Sequence, residues 1–380
     1  MKKSLIILFI SLFAIAAKAS EYEAPQLGER SYIEVYTCAP GNQLYSQFGH
    51  TAIGVFDRQR GIDQVFNYGT FSFNTPHFYL KFCAGKLLYQ LTSESFSQFV
   101  YSYERRGRQV VAQRLNLTLE QRQHLFNLLS ENCLPENCDY QYDFFFDNCA
   151  TRVLDILYHA FGDSLTYTAT DTLPQPSMRD CIHPYLNGSQ WTKAGIDLVL
   201  GSITDRRATC RQQSFLPDKL HDYLAECQID TLPLVLQTRT IVEPTIVYDK
   251  TPWLLSPILI FSLLLIATVI LTFRASGTAL VIFDRIYFSI IGLLGLLIAL
   301  LWFATDHGAT VGNLNMLWAS PLFLVYVFTI GCTEKQWHKW LRIILIAGNA
   351  IMILGFLLPQ SFNLCFYPLI AASLLRLWKR

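Results

Sequence analysis

Residues 140–149 read Tyr-Gln-Tyr-Asp-Phe-Phe-Phe-Asp-Asn-Cys. An aromatic, strand-like run passes here straight into an amphipathic helix. Val153, Leu154, Leu157 and Phe161 fall at helical spacing, and Gly162 suits the helix end. Asp147 or Asn148 can cap that helix, which leaves Cys149 in its first turn. There the helix dipole and the free backbone N–H groups favour thiolate, the nucleophilic form of cysteine. Such a nucleophile needs a base, usually a histidine. Gly49-His50 opens an expected strand earlier in the chain, where a rigid element can hold an imidazole. A histidine on a strand followed by a cysteine at a helix start points to an α+β domain with cysteine chemistry. The plain alternative makes Cys149 a disulfide partner and His50 a core histidine.

Around this stretch the first half of the chain reads as strands. Tyr32–Tyr36, His50–Phe56 and Val65–Phe73 are short runs rich in β-branched and aromatic residues. The turn-like Asp57-Arg-Gln-Arg-Gly61 pairs the second and third runs as a hairpin. Thr118-Leu-Glu-Gln121 is a capping box that opens a helix through Leu129. The dense aromatics between Phe66 and Phe82 read as core and hairpin packing rather than as an acyl groove. Leu165 to Pro252 mixes loops and short helices without a clear pattern.

Both ends of the chain differ from this middle. Lys2 and Lys3, an apolar run from Leu5 to Ala17 and the Ala17-Lys-Ala19 step read as a secretory signal over residues 1–19. Residues 20–252 read as one soluble domain. Residues 253–380 hold five apolar segments: Trp253–Phe273, Ile286–Phe303, Val311–Cys332, Ile343–Leu358 and Phe362–Leu375. The first three are long enough to span a bilayer, and the last two are short against roughly 17–25 residues. All eight basic residues of this part fall in the first and third loops and the tail. The positive-inside rule makes that side cytoplasmic and the soluble domain periplasmic. The expected location is therefore a Gram-negative inner membrane.

Charge follows the same division. Residues 20–252 carry 19 Lys and Arg against 26 Asp and Glu. Residues 253–380 carry eight against three. The acidic head argues against a nucleic-acid partner, which requires a basic footprint. Charged residues make up 16% of the chain, well under the about 25% usual for soluble proteins. Ten cysteines suit an oxidising compartment. Cys133 and Cys138 are spaced to close a small loop, and Cys181, Cys210 and Cys227 can supply another bridge. Neither a Cys-x-x-Cys nor a His-x-x-x-His pair occurs, so no metal or other cofactor is expected.

The order His50 then Cys149 resembles the circularly permuted papain-like enzymes, the NlpC-type peptidases and the lecithin:retinol acyltransferase-like group. Longer motifs resemble a narrower family. Cys38-Ala-Pro-Gly-Asn-Gln-Leu-Tyr-Ser-Gln-Phe-Gly-His50, Phe66-Asn-Tyr-Gly-Thr-Phe71, Phe73-Asn-Thr-Pro76 and Tyr142-Asp-Phe-Phe-Phe-Asp-Asn-Cys-Ala-Thr-Arg152 look like the Lnb-type domain. That domain belongs to lipoprotein N-acyltransferases of the Bacteroides group. Phe215-Leu-Pro217, Thr305-Asp-His307 and Asn313-Leu-Asn315 also fit. The resemblance implies a permuted papain-like periplasmic domain followed by an all-α, five-helix transmembrane domain.

It also implies a reaction: an acyl chain moves from a membrane phospholipid to the α-amino group of a lipoprotein's diacylglyceryl-cysteine. Cys149 would be the nucleophile and His50 its base, with the backbone N–H of Cys149 and a second, unassigned group binding the oxyanion. Asn67 and Tyr68 are the candidates for orienting His50, and the hairpin register decides between them. Tyr36, Asn148, Arg152 and His307 are the candidate substrate-binding residues. The rival readings are a periplasmic cysteine amidase or peptidase and a membrane-tethered binding module without catalysis.

Overall fold

The computed structural model describes residues 23–169, 175–275, 277–330 and 336–379. The expected signal segment, 1–19, lies outside them. The head contains strands β1 (Tyr32–Cys38), β2 (His50–Asp57), β3 (Ile62–Thr70), β4 (Leu88–Glu94), β5 (Val110–Leu115), β6 (Asp139–Gln141), β7 (Leu165–Tyr167), β8 (Cys227–Ile229), β9 (Leu232–Pro233) and β10 (Val235–Val242). Seven of them form one antiparallel sheet in the order β10-β5-β1-β2-β3-β4-β6. The expected β2–β3 hairpin is present, with Ile53 opposite Phe66 and Asp57 opposite Ile62.

Both faces of the sheet are covered. Ile33, Val35, Ile53, Val55 and Phe66 face three helices, Leu119–Asn132, Cys149–Phe161 and Pro217–Ala225. Tyr36, Ala52, Phe56 and Val65 face the helix Phe96–Glu104 on the other side. Burial on both faces explains why β1 and β2 read as near-continuous apolar runs rather than as alternating ones. Two local signals fix the large helical layer. Thr118 and Gln121 form the expected capping box. Asn148, not Asp147, caps the Cys149 helix, accepting from the N–H groups of Ala150 at 2.8 Å and Thr151 at 3.0 Å. The two cysteines expected to bridge do not: Cys133 Sγ turns to the carbonyl of Leu91 and Cys138 Sγ to that of Pro135. Cys181 and Cys227 pack in separate clusters and cannot meet.

Among the described residues, three helices are long and apolar enough to cross a membrane, Pro257–Arg274, Thr278–Phe303 and Gln336–Leu357, and two shorter apolar helices, Leu314–Thr329 and Leu364–Trp378, accompany them. The third apolar segment is broken at its start, because Asn313 and Asn315 are held in hydrogen bonds to the head. Its α-helix runs only from Leu322 to Thr329. The fourth reaches spanning length by starting at Gln336. Leu364–Trp378 remains a shorter apolar helix. Asp284 and Arg376, both buried, pair across two of these helices at 2.7 and 2.8 Å.

A buried polar network joins the head to the membrane helices. Asn315 Nδ2 donates to the carbonyls of Asp197 and Leu198 at 3.0 and 3.1 Å. Asn313 Nδ2 donates to Leu198 O at 2.8 Å, and Asn363 Nδ2 to the Asp197 carboxylate at 2.9 Å. Arg179, fully buried, donates to Asp197 and to Asp205. With these groups satisfied, the head is fixed at one end of the helices.

Candidate active site

The strand that carries His50 begins at a residue only glycine can fill. Gly49 has φ +84°, and a Cβ there would lie 2.7 Å from the carbonyl oxygen of Cys38. The chain turns at this point and enters β2, so His50 is the first residue on a rigid strand.

His50 Nε2 lies 3.2 Å from Asn67 Oδ1. Asn67 Nδ2 in turn donates to Glu94 Oε1 at 3.0 Å and to Val65 O at 3.4 Å. Those two acceptors fix the amide, so its oxygen faces the ring and Nε2 must be the protonated nitrogen. Nδ1 is left with the free lone pair. The register therefore selects Asn67 over Tyr68. Tyr68 points to the opposite face, where its hydroxyl accepts from Asn132 Nδ2 at 3.1 Å and its ring meets Tyr140 edge-on. It does not touch His50's partner set, which corrects its place as an orienting candidate.

Cys149 is 8% exposed and opens its helix. Backbone N–H groups of Thr51, Ala150 and Cys149 itself favour its thiolate. Thr51 follows His50 on β2, so the strand with the histidine and the helix with the thiol meet here. Gly69, at φ +87°, lies beside them. A Cβ at Gly69 would lie 3.7 Å from Cys149 Cβ, 3.6 Å from the Tyr140 hydroxyl and 3.7 Å from the Tyr142 ring. A register shift between Asn67 and Thr70 falls at this glycine.

The resting charge state differs from the sequence expectation. Burial pushes the Cys149 thiol up to about 11, although the three backbone N–H groups and Arg108 oppose it. Burial also lowers His50 to about 4, against the hydrogen bond it donates to Asn67 and with the Arg108 charge adding to the decrease. Desolvation thus outweighs the helix N-terminus, and the pair rests as neutral thiol and neutral imidazole.

Two buried groups beside this pair were not legible in the sequence. Arg108 is 3% exposed and donates from Nε to Ala39 O at 2.7 Å, with its guanidinium over the Tyr103 ring. Its Nη2 has no hydrogen-bond partner among the described residues. The buried Tyr140 hydroxyl likewise has none. Burial holds the Tyr140 phenol well above its ordinary range, so it stays a donor.

The remaining candidates have structural work. Tyr36 is fully buried, donates to Glu34 at 2.9 Å and packs among Phe56, Phe96 and Phe99. It is a core residue. Asn148 spends its oxygen on the cap, and its Nδ2 donates to Phe144 O and Phe215 O at 2.7 and 2.8 Å. Arg152 is held by Asp147 through two hydrogen bonds and lies over the Tyr140 ring at 4.2 Å. Both position the Cys149 turn rather than reach outward. His307 Nε2 donates to the carbonyls of Phe82 and Cys83 at 3.2 Å each, which makes it a strut between head and membrane part.

The segment that leads to Cys149 touches the membrane part. Gln141 Nε2 donates to Asp306 Oδ2 at 3.3 Å, and Asp143 and Phe146 border Gly308. The Lnb N-terminal periplasmic domain matches residues 25–181, and the Lnb transmembrane domain matches residues 249–379. The chain belongs to the Lnb family. It is a membrane protein with a periplasmic domain. No curated protein and no solved structure matches it. In this Lnb protein the two matched regions correspond to the head with the Cys149–His50 site and to the apolar helices beneath it.

Proposed function

We propose that this chain is a thiol-dependent acyltransferase. It moves an acyl chain from a phospholipid to the α-amino group of a diacylglyceryl-modified lipoprotein. The observation that carries this reading is the position of the thiol. Cys149 lies at the end of a short segment bonded to the membrane part, which places the thiol near two lipid substrates. His50 preceding Cys149 along the chain supports a permuted papain-like arrangement. The catalytic domain is then periplasmic, in the inner membrane, with the C-terminus cytoplasmic.

The Cys149 sulfur attacks the donor ester carbonyl, and its proton passes to His50 Nδ1. Because both groups rest neutral, transfer accompanies attack rather than preceding it. Asn67, held by Glu94, keeps the ring oriented while its charge develops. The backbone N–H of Cys149 and the Tyr140 hydroxyl, beside Gly69, stabilise the oxyanion. As the tetrahedral adduct collapses, the C–O bond breaks, and the lysophospholipid oxygen takes the proton from His50. A thioester remains on Cys149. The lipoprotein amine attacks it, giving its proton to His50, and Cys149 leaves and is reprotonated.

Incubation of the full-length protein with phospholipid tests this by intact mass. The expected result is one acyl-sized adduct, removed by hydroxylamine and missing from Cys149→Ala. No adduct under conditions where lipoproteins become N-acylated overturns the mechanism. Cleavage of cell-wall peptides with no acyl transfer would instead establish the amidase alternative.

A further inference from the structure

The segment from Phe71 to Lys86 does not pack as its sequence suggests. Phe78 is buried, but Phe73 is 63% exposed, Tyr79 76%, Leu80 72% and Phe82 48%. Four large apolar side chains on one short loop and helix are a contiguous apolar surface of the kind that marks an interaction site. No Asp or Glu occurs between Asp63 and Glu94, while Lys81 and Lys86 flank the apolar side chains. Exposed aromatics with basic neighbours and no acid suit an anionic lipid surface, with the rings in the interface and the lysines at the phosphates.

The location agrees. Asp306 N–H donates to Ala84 O at 3.0 Å, Gln141 Nε2 donates to Gly85 O at 2.6 Å, and His307 holds Phe82 O and Cys83 O. These bonds pin the helix Phe78–Cys83 to the loop that follows the membrane helix Thr278–Phe303. The last residue of that helix, Phe303, is itself 70% exposed. The apolar surface of the membrane helices is therefore continued by this part of the head.

A line of rings runs inward from the same surface. Phe82 stacks on Phe78, Phe78 on Phe71, Phe71 meets Tyr89 at 5.2 Å, and Tyr89 stacks on Tyr142 at 4.3 Å. Tyr142 and Cys149 both border Gly69.

We propose that residues 71–86 form a finger embedded in the leaflet at the head side, and that its ring track guides one phospholipid acyl chain to Cys149. The second half rests on the reading of Cys149 as the acyl acceptor; the first does not.

The test places a photoreactive benzoylphenylalanine at Tyr79 or Phe82 in the full-length chain, reconstituted in vesicles of phosphatidylethanolamine and phosphatidylglycerol. Leu236, exposed on the edge strand β10, is the head control, and Leu293, exposed on a membrane helix, is the lipid control. Lipid-mass adducts at 79, 82 and 293 but not at 236 are expected. Adducts at 293 alone overturn the finger. The measurement is repeated in Cys149→Ala, so a failed acyl-enzyme and a failed finger give different results. Tyr79→Asp with Leu80→Asp is expected to slow acylation of Cys149 from vesicle phospholipid at least tenfold, at an unchanged rate of Cys149 alkylation by iodoacetamide. Unchanged acylation overturns the guiding role.

Discussion

His50 Nε2 and Asn67 Oδ1 face each other at 3.2 Å, and the second bond of that amide, to Glu94, dictates which ring nitrogen carries the proton. The hydrogen bond therefore sets a tautomer as well as an orientation. Asn67→Ala removes both. Thioacylation of Cys149 is expected to fall about 100-fold, the low end of what a positioned base contributes. Asn67→Asp is the sharper variant. A carboxylate beside the ring raises His50 from about 4, so the pH profile of acylation gains an acid limb nearer neutrality. A purely structural Asn67 would lower the rate in both variants and leave the profile unchanged.

Neutral resting groups make a second prediction. With Cys149 at about 11, its alkylation by iodoacetamide, followed by peptide mass, is expected to rise tenfold per pH unit from pH 7 to 10. A plateau beginning near pH 6 would show a thiolate–imidazolium pair and contradict this charge assignment. Stability follows the same groups. Below pH 6.5 an unfolded chain binds a proton at His50 that the folded chain refuses until about 4. The unfolded state holds more protons across that window, so stability falls as the pH drops through it. Above pH 9 the unfolded chain releases the Cys149 proton first, and stability falls again towards about 11.

Arg108 gives a third. Its buried charge lowers both Cys149 and His50. In Arg108→Met both rise. Alkylation of Cys149 is expected to slow at every pH from 7 to 10, while the acid limb due to His50 moves up. Arg108→Lys, which keeps a charge, is expected to restore most of the alkylation rate. Equal slowing in both variants would mean that Arg108 acts by packing alone.

How much of this was legible depended on whether a signal was local. The Thr118 capping box, the Asp57–Gly61 turn and the helix from Cys149 all depend on neighbours within a few residues, and each appears as read. Asn67 against Tyr68 was a question of register, which one residue of sequence cannot resolve and one cross-strand pairing does. Arg108 and Tyr140 left no trace, because their meaning lies in long-range burial without a partner. Between Phe66 and Phe82 the reading holds in part: Phe66, Tyr68 and Phe78 are buried, whereas Phe73, Tyr79 and Phe82 are exposed. Aromatic density indicates apolar surroundings, but it does not say which rings the core takes in. β10 escaped notice as an edge strand whose residues are mostly exposed and so carry little apolar pattern.

The junction network supplies the last prediction. Asn315 uses both ends of its amide: Nδ2 serves the Asp197 and Leu198 carbonyls across the boundary, and Oδ1 accepts from Trp318 Nε1 on its own side at 2.9 Å. In Asn315→Leu the buried indole N–H loses its partner, and Leu198 O keeps only its bond from Asn313. Each buried group left unpaired costs about 1–3 kcal/mol. The sheet that carries His50 shares none of these bonds. Hydrogen exchange on the full-length chain is expected to rise at 196–200 and 313–318 while β1, β2 and β3 stay protected. Acylation of Cys149 from vesicle phospholipid should then slow more than its alkylation by iodoacetamide. Increased exchange throughout the head would instead mean that the network stabilises the whole domain rather than its seat on the membrane.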